Sequence, residues 1–283
     1  MVLAGLLLIG QPLSAMQQKE PQKWSDQVHL FFQNDSNLLV KEAVLSNKLG
    51  GWLKDLESLR SRKSNDLIFL KKVFYRTHRE LLHQYNPAAS VPQTLETGKY
   101  GCMSGTALYA IILNHFDFDF EIIETTGHVY LQVNLDNRKV LFESTLATDG
   151  FITNVRKIAR ATQQYSENSR KNTSLMTISG IGKQTAGVEI YAKRINLKEL
   201  SGLQYYNTAI FDMGDEAFDK AYWNAEKSVS LYPCKRTKKL MEIVINKILQ
   251  SKSLTRDQKS GILKTYISQI KKKRLTQRPI PTF

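Results

Sequence analysis

The sequence predicts a mixed α/β chain of the α+β kind, with an antiparallel sheet packed on helices and a helical carboxyl-terminal segment. Three observations carry this. Apolar residues recur at helical spacing from Trp52 to Arg62 and again from Asp66 to Tyr85. Two alternating runs flank a tight turn between residues 120 and 144, the mark of a half-buried hairpin. From Leu197 to about residue 274 the apolar spacing is helical once more.

The amino end is an apolar run of ten residues, Met1 to Gly10, followed by Gln11-Pro12-Leu13-Ser14-Ala15. It is too short to span a bilayer and ends in small residues, so residues 1–15 read as a signal peptide cleaved after Ala15. The basic flank usual before such a run is missing, which leaves room for a start further upstream. The competing reading is a buried amino-terminal helix. An exported chain, periplasmic or secreted, is the expectation, with residues 16–94 as an amino-terminal helical part of the core. Residues 16–40 carry no clear period.

In the second helix Leu67, Leu70, Phe74 and Leu81 form the apolar stripe, with Lys71, Lys72, Arg76 and Arg79 largely off it. Ser64 or Asn65 is placed to cap it, and Asn86-Pro87 to end it. His78 and His83 within it superficially resemble a zinc pair. They are five residues apart, roughly 140° around a helix, whereas a helical zinc site needs i and i+4. They read as surface or partly buried histidines, and no metal or organic cofactor is implied. Pro87, Pro92 and Gly98 mark residues 86–99 as a connecting loop.

A core of residues 95–196 follows. Its first helix runs from Cys102 to about Asn114 and offers Ala107, Leu108, Ile111 and Ile112 for burial. Phe120–Glu124 is a short strand. Val129, Leu131, Val133 and Leu135 alternate with Tyr130, Gln132 and Asn134, and Lys139–Ser144 returns as the hairpin partner. Gln163–Ser174 is polar and expected as an exposed loop, with a strand over Val188–Ile195 after it.

Three side chains in this core suggest chemistry. Cys102 opens a helix, where free N–H groups and the helix dipole stabilise a thiolate. His128 opens one strand and Glu143 ends the next. If Leu135-Asp136 is the turn, residue 128 lies opposite 143. If Asp136-Asn137 is the turn, 130 opposes 143 and 128 is its diagonal neighbour. Both registers place the two on one face, within about 5–8 Å backbone to backbone, whereas a three-residue loop would put them on opposite faces. One ring nitrogen of His128 then meets Glu143 while the other faces Cys102, a thiol version of the nucleophile–base–acid arrangement. Gly101 lets the chain turn before the helix. Gly105, costly inside a helix, implies close approach by another backbone or a substrate. The N–H of Cys102 is the natural oxyanion donor, with Tyr100, Gln93 and Tyr130 as weaker oxyanion or substrate contacts.

The combination of Gly101-Cys102 opening a helix, Gly127-His128 opening a strand and Phe142-Glu143-Ser144-Thr145 closing the next resembles the transglutaminase-like superfamily. It is most similar to bacterial members with a helical, tetratricopeptide-like carboxyl segment. The resemblance covers residues 95–152 well and 200–233 loosely. It implies a papain-like core with an antiparallel sheet and a nucleophile helix, with Cys102 as nucleophile, His128 as base and Glu143 as orienting acid. It departs from the pattern in having Glu143 where aspartate is usual, and Val129 where a small residue is common. The activity implied is acyl transfer at an amide or peptide bond of a peptide or protein substrate, with hydrolysis favoured over cross-linking. The alternative is a catalytically silent scaffold that binds a peptide or acidic polymer.

The last segments are a basic helical region, 197–274, and a flexible tail, 275–283. Tyr205 to Pro233 holds part of one tetratricopeptide unit. A single unit cannot build a solenoid, so a helical hairpin packed on the core is expected. Residues 228–283 carry fourteen Lys/Arg against Glu242 and Asp257, so most of the formal charge of +14 lies there. No zinc-finger or single-strand-binding pattern accompanies it, which argues against specific nucleic-acid binding. It reads as a solvated basic face, with an acidic surface or polymer as a possible contact. Cys234 sits in that stretch and reads as incidental. A Cys102–Cys234 disulfide is the remaining alternative, and it would exclude the nucleophile. Composition says nothing about oligomeric state.

Overall fold

A computed structural model describes residues 24–32, 38–60, 65–171 and 192–276. The residues read as a signal peptide and the tail from 277 onward lie outside these, as do residues 188–191 of the expected late strand.

Helices α1 (Trp24–His29), α2 (Leu38–Leu59) and α3 (Asp66–Leu81) come first. Asn65 caps α3, its side chain accepting from the Leu67 N–H at 2.8 Å. Leu70, Phe74 and Leu81 of the expected stripe are buried. The helix ends four residues before Tyr85, because the His83 and Gln84 N–H groups both donate to Gly98 O and pull the chain into a strand. That strand, β1 (Gln84–Tyr85), pairs in parallel with β2 (Lys99–Tyr100). Between them α4 (Val91–Thr97) occupies what the prolines suggested was loop. Pro92 sits in its first turn, where a missing N–H costs nothing, and Ser90 and Gln93 form a reciprocal capping box.

Helix α5 (Cys102–His115) is the centre of the molecule, with every residue from Met103 to Leu113 buried. Strands β3 (Asp119–Thr125), β4 (His128–Leu135), β5 (Arg138–Phe142), β6 (Phe151–Ile152) and β7 (Lys193–Ile195) form an antiparallel sheet in the order β6-β5-β4-β3-β7. Val129, Leu131 and Val133 face α5 in the main core, together with Val140, Phe142 and the aromatics of α3. Ile123, Tyr130 and Leu141 point the other way.

That second face is covered by α6 (Val155–Lys171), through Ile158, Ala161 and Tyr165. The loop expected from Gln163 is therefore helix as far as Lys171. Its three sheet-facing residues fall at i, i+3 and i+7, and the polar remainder faces outward.

Four helices follow: α7 (Leu197–Gly214), α8 (Phe218–Leu231), α9 (Lys235–Gln250) and α10 (Arg256–Thr276). They pack around a second core of Tyr206, Ile210, Tyr222, Leu240 and Val244. α7 belongs to both cores, since Leu200 and Leu203 join the first. Gln204 ties it down by accepting from the Val91 N–H at 2.8 Å and donating to Phe31 O at 3.1 Å. None of the described helices is long and apolar enough to cross a membrane.

Candidate functional site

The β4–β5 register pairs Leu135 with Arg138 and Leu131 with Phe142, so Asp136-Asn137 is the turn. Continued by one residue, that register sets Tyr130 against Glu143 and makes His128 the diagonal neighbour. The side chains close the gap, with His128 Nε2 2.6 Å from Glu143 Oε2. The same ring also interacts with Cys102, and with Nε2 engaged by Glu143 the nitrogen left for the thiol is Nδ1. Both cysteines are free thiols, and Cys102 is partly exposed. The three residues singled out in the sequence are thus brought together.

Local chain geometry explains how. Thr126 and Gly127 make the β3–β4 turn, and Gly127 takes φ 85°, a left-handed conformation that favours glycine. Gly101 is needed for a different reason than turning. Its φ of −121° is ordinary extended backbone, but a Cβ there would lie 3.0 Å from Asn86 O. Gly105 admits the chain from β5, since a Cβ would meet Ser144 Cβ at 2.8 Å. Ser144 Oγ then donates to Cys102 O at 3.3 Å, fastening the strand end to the start of α5. At that start, the Ser104 hydroxyl accepts from the Gly101 N–H at 3.1 Å.

Glu143 is 1% exposed yet fully engaged. Its Oε1 accepts from the Thr145 N–H at 3.0 Å and from Thr145 Oγ1 at 2.6 Å, and the Tyr165 hydroxyl also bonds it. Burial pushes its pKa up, but the hydrogen bonds of His128, Thr145 and Tyr165 and the charge of His128 hold it below the usual carboxylate value. For His128, burial is the largest influence and favours the neutral ring. The hydrogen bonds and charges of Cys102 and Glu143 outweigh it and hold the pKa at about 10. The imidazole therefore stays protonated at neutral pH, flanked by sulfur and carboxylate. Tyr165 packs on it at 4.6 Å between centroids, and Tyr130 lies 5.2 Å from Tyr165.

Cys102 and His128 open onto a cavity of about 290 Å³. Its wall also includes Tyr85, Glu124, Leu203 and Arg236. Of the weaker sequence candidates, Tyr130 is buried behind His128 and supports the ring. Tyr100 is 6% exposed and turned away from the cavity wall, against His78 and Tyr85. Gln93 spends its side chain on the Ser90 N–H in the α4 cap. The tyrosine on the cavity is Tyr85, register partner of Tyr100. Burial, then the charges of Cys102 and Glu143, raise its pKa, so it keeps its proton and remains a donor.

His78 is a core residue rather than a surface one. It is 5% exposed, neither ring nitrogen has a partner among the described residues, and burial brings its pKa down to about 4 despite the charge of Glu143. His83 is exposed. Among the described residues no group of three or more His, Cys, Asp or Glu is arranged to hold a metal ion.

Sequence reasoning missed Tyr85, Tyr165, Glu124 and Arg236. Tyr165 had a usable signal in the 158–161–165 spacing. Comparison of the chain with protein-family models, with curated proteins and with solved structures finds no match in any of the three.

Proposed function

We propose that this chain is an exported thiol enzyme of the transglutaminase-like type, with a papain-like core, that transfers an acyl group from an amide or peptide bond. The single observation carrying this is that His128 interacts with both Cys102 and the buried Glu143, beside a cavity that Cys102 and His128 line. Cys102 Sγ attacks the carbonyl carbon of the substrate. The resulting oxyanion meets the Cys102 N–H, which has no partner within the helix, and the Tyr85 hydroxyl is the second donor within the cavity. The protonated His128 gives its Nδ1 proton to the departing amine as the C–N bond breaks, leaving a thioester and a neutral ring. Water then attacks the thioester, the ring takes up its proton, and the acid leaves as the thiolate–imidazolium pair is restored. An amine in place of water would give cross-linking. Glu143 holds the ring in the orientation both half-reactions need.

The test is the pH dependence of iodoacetamide alkylation at Cys102, mapped by mass spectrometry, in wild type and His128→Ala. Fast labelling well below pH 8 that disappears in the variant is expected. Ordinary thiol behaviour in both proteins would overturn the enzyme reading in favour of a peptide- or polymer-binding scaffold.

A further inference from the structure

The cavity does not stop at the thiol. Part of its wall is built by the carboxyl-terminal helices, which contribute Leu203, Asn207 and the charged Arg236. Arg236, in the first turn of α9, has 8% of its side chain exposed. Its Nη2 donates to Glu124 Oε1, and its guanidinium lies 4.9 Å from the centroid of the Tyr206 ring. Glu124, at the end of β3, is satisfied on its other oxygen by the Tyr232 hydroxyl at 2.6 Å. That hydroxyl in turn accepts from Lys193 Nζ at 3.1 Å.

The two partners are unequally satisfied. Both oxygens of Glu124 have donors. Arg236 carries five N–H groups, and neither Nε nor Nη1 finds a protein acceptor among the described residues; Nε is fully buried without one. An arginine serving only as a latch between β3 and α9 would have its donors answered by protein. This one is more than nine-tenths buried, lines the same cavity as Cys102, and keeps donor capacity that an incoming acceptor would fill. A planar carboxylate is the acceptor whose geometry and charge suit a guanidinium, and Glu124 keeps the arginine from standing as an uncompensated charge when the cavity is empty.

We propose that Arg236 binds a carboxylate of the substrate, from an acidic side chain or a free chain terminus, while the carbonyl to be attacked lies at Cys102. The substrate class is a peptide with a carboxylate close to the scissile bond, since Cys102 and Arg236 line the same cavity of about 290 Å³. This rests on the acyl-transfer reading and narrows it.

The experiment compares four chloroacetyl reagents, in each of which Cys102 Sγ displaces chloride to form a thioether. They are chloroacetyl-glycine, chloroacetyl-glycinamide, chloroacetyl-glutamic acid α-amide and chloroacetyl-glutamine amide. Rates are read by intact mass at pH 7. In wild type, at least one acid should label on the order of 10-fold faster than its own amide, a difference of about 1.4 kcal/mol. The glycine pair reports a terminal carboxylate and the glutamic pair a side-chain one. In Arg236→Gln the ratio should fall towards one. The double variant Glu124→Gln/Arg236→Gln, which leaves no unpaired buried charge, gives the same reading if the single variant folds poorly. Rapid labelling with acid-to-amide ratios near one in wild type overturns the carboxylate site and leaves the nucleophile standing. A preference that survives in both variants overturns the assignment to Arg236. Slow labelling by all four reagents overturns the nucleophile itself, and this substrate assignment with it.

Discussion

Glu143 and Glu124 invite comparison. Each is 1% exposed, each stands at the end of a strand of the same sheet, and each is ion-paired. Glu143 faces a histidine, whose charge can leave with its proton, beside a sulfur. Glu124 faces an arginine, which never gives up its proton in the working pH range. The same buried carboxylate thus pairs with a charge that pH can remove in one place and with a fixed charge in the other. The partner decides, and so does its setting: His128 sits with 20% of its side chain exposed at the cavity, while Arg236 is locked between β3, Tyr206 and Tyr232.

The largest expected effect comes from breaking the permanent pair. Glu124→Ala strands a buried guanidinium and should cost about 3–5 kcal/mol of stability, read as a lowered urea midpoint. A cost under about 1 kcal/mol would mean that Arg236 is solvated there. Next comes His128→Ala, which should slow alkylation of Cys102 at pH 6–7 by roughly 10²–10³-fold. The same variant separates the pairs by pH. His128 has its folded pKa raised from 6.5 to about 10. Its stabilising contribution is therefore complete below about pH 6.5 and fades as pH rises through about 10. The depressed pKa of Glu143 adds a contribution present above its ordinary value and lost in acid. The gap in unfolding midpoint between wild type and His128→Ala should accordingly narrow from pH 6.5 to pH 10. A gap constant over that range would show that the ring carries no extra proton in the folded state.

Gly105→Ala should lower stability by about 1–3 kcal/mol, because its methyl group displaces Ser144 and with it the segment that aims Glu143. Slower Cys102 labelling should accompany the loss. The smallest effect is expected of Tyr165→Phe, which removes one of several bonds to Glu143 and keeps the ring stacked on His128. About 1 kcal/mol and a few-fold change in labelling rate are anticipated.

The pairing of His128 with Glu143 was legible because any two-residue turn between the alternating strands puts them on one face; only a three-residue loop would have separated them. α5 was legible because Ala107 to Leu113 is an unbroken run of apolar residues with no helix breaker. What escaped notice did so for physical reasons. β1 and β2 are two residues long, too short for any period, so Tyr85 could not be told from the helix before it. Polar residues from Gln163 onward mask the narrow stripe that sets Tyr165 over the sheet. Arg236 sits among Lys235, Lys238 and Lys239, all exposed, and a charge in such a run defaults to solvent. Its ion-pair partner Glu124 lies 112 residues earlier, and the Tyr206 ring it packs on lies 30 residues earlier.

The two-core layout of α7 bears on how the protein is made. Thiol, imidazole and carboxylate all lie between residues 102 and 143, whereas the cavity wall waits for Leu203, Asn207 and Arg236. On the ribosome, amino-terminal parts fold first. A nascent chain therefore carries a complete triad 93 residues before the last piece of the wall is synthesised. The cavity wall is thus complete only once the helical segment has joined the core.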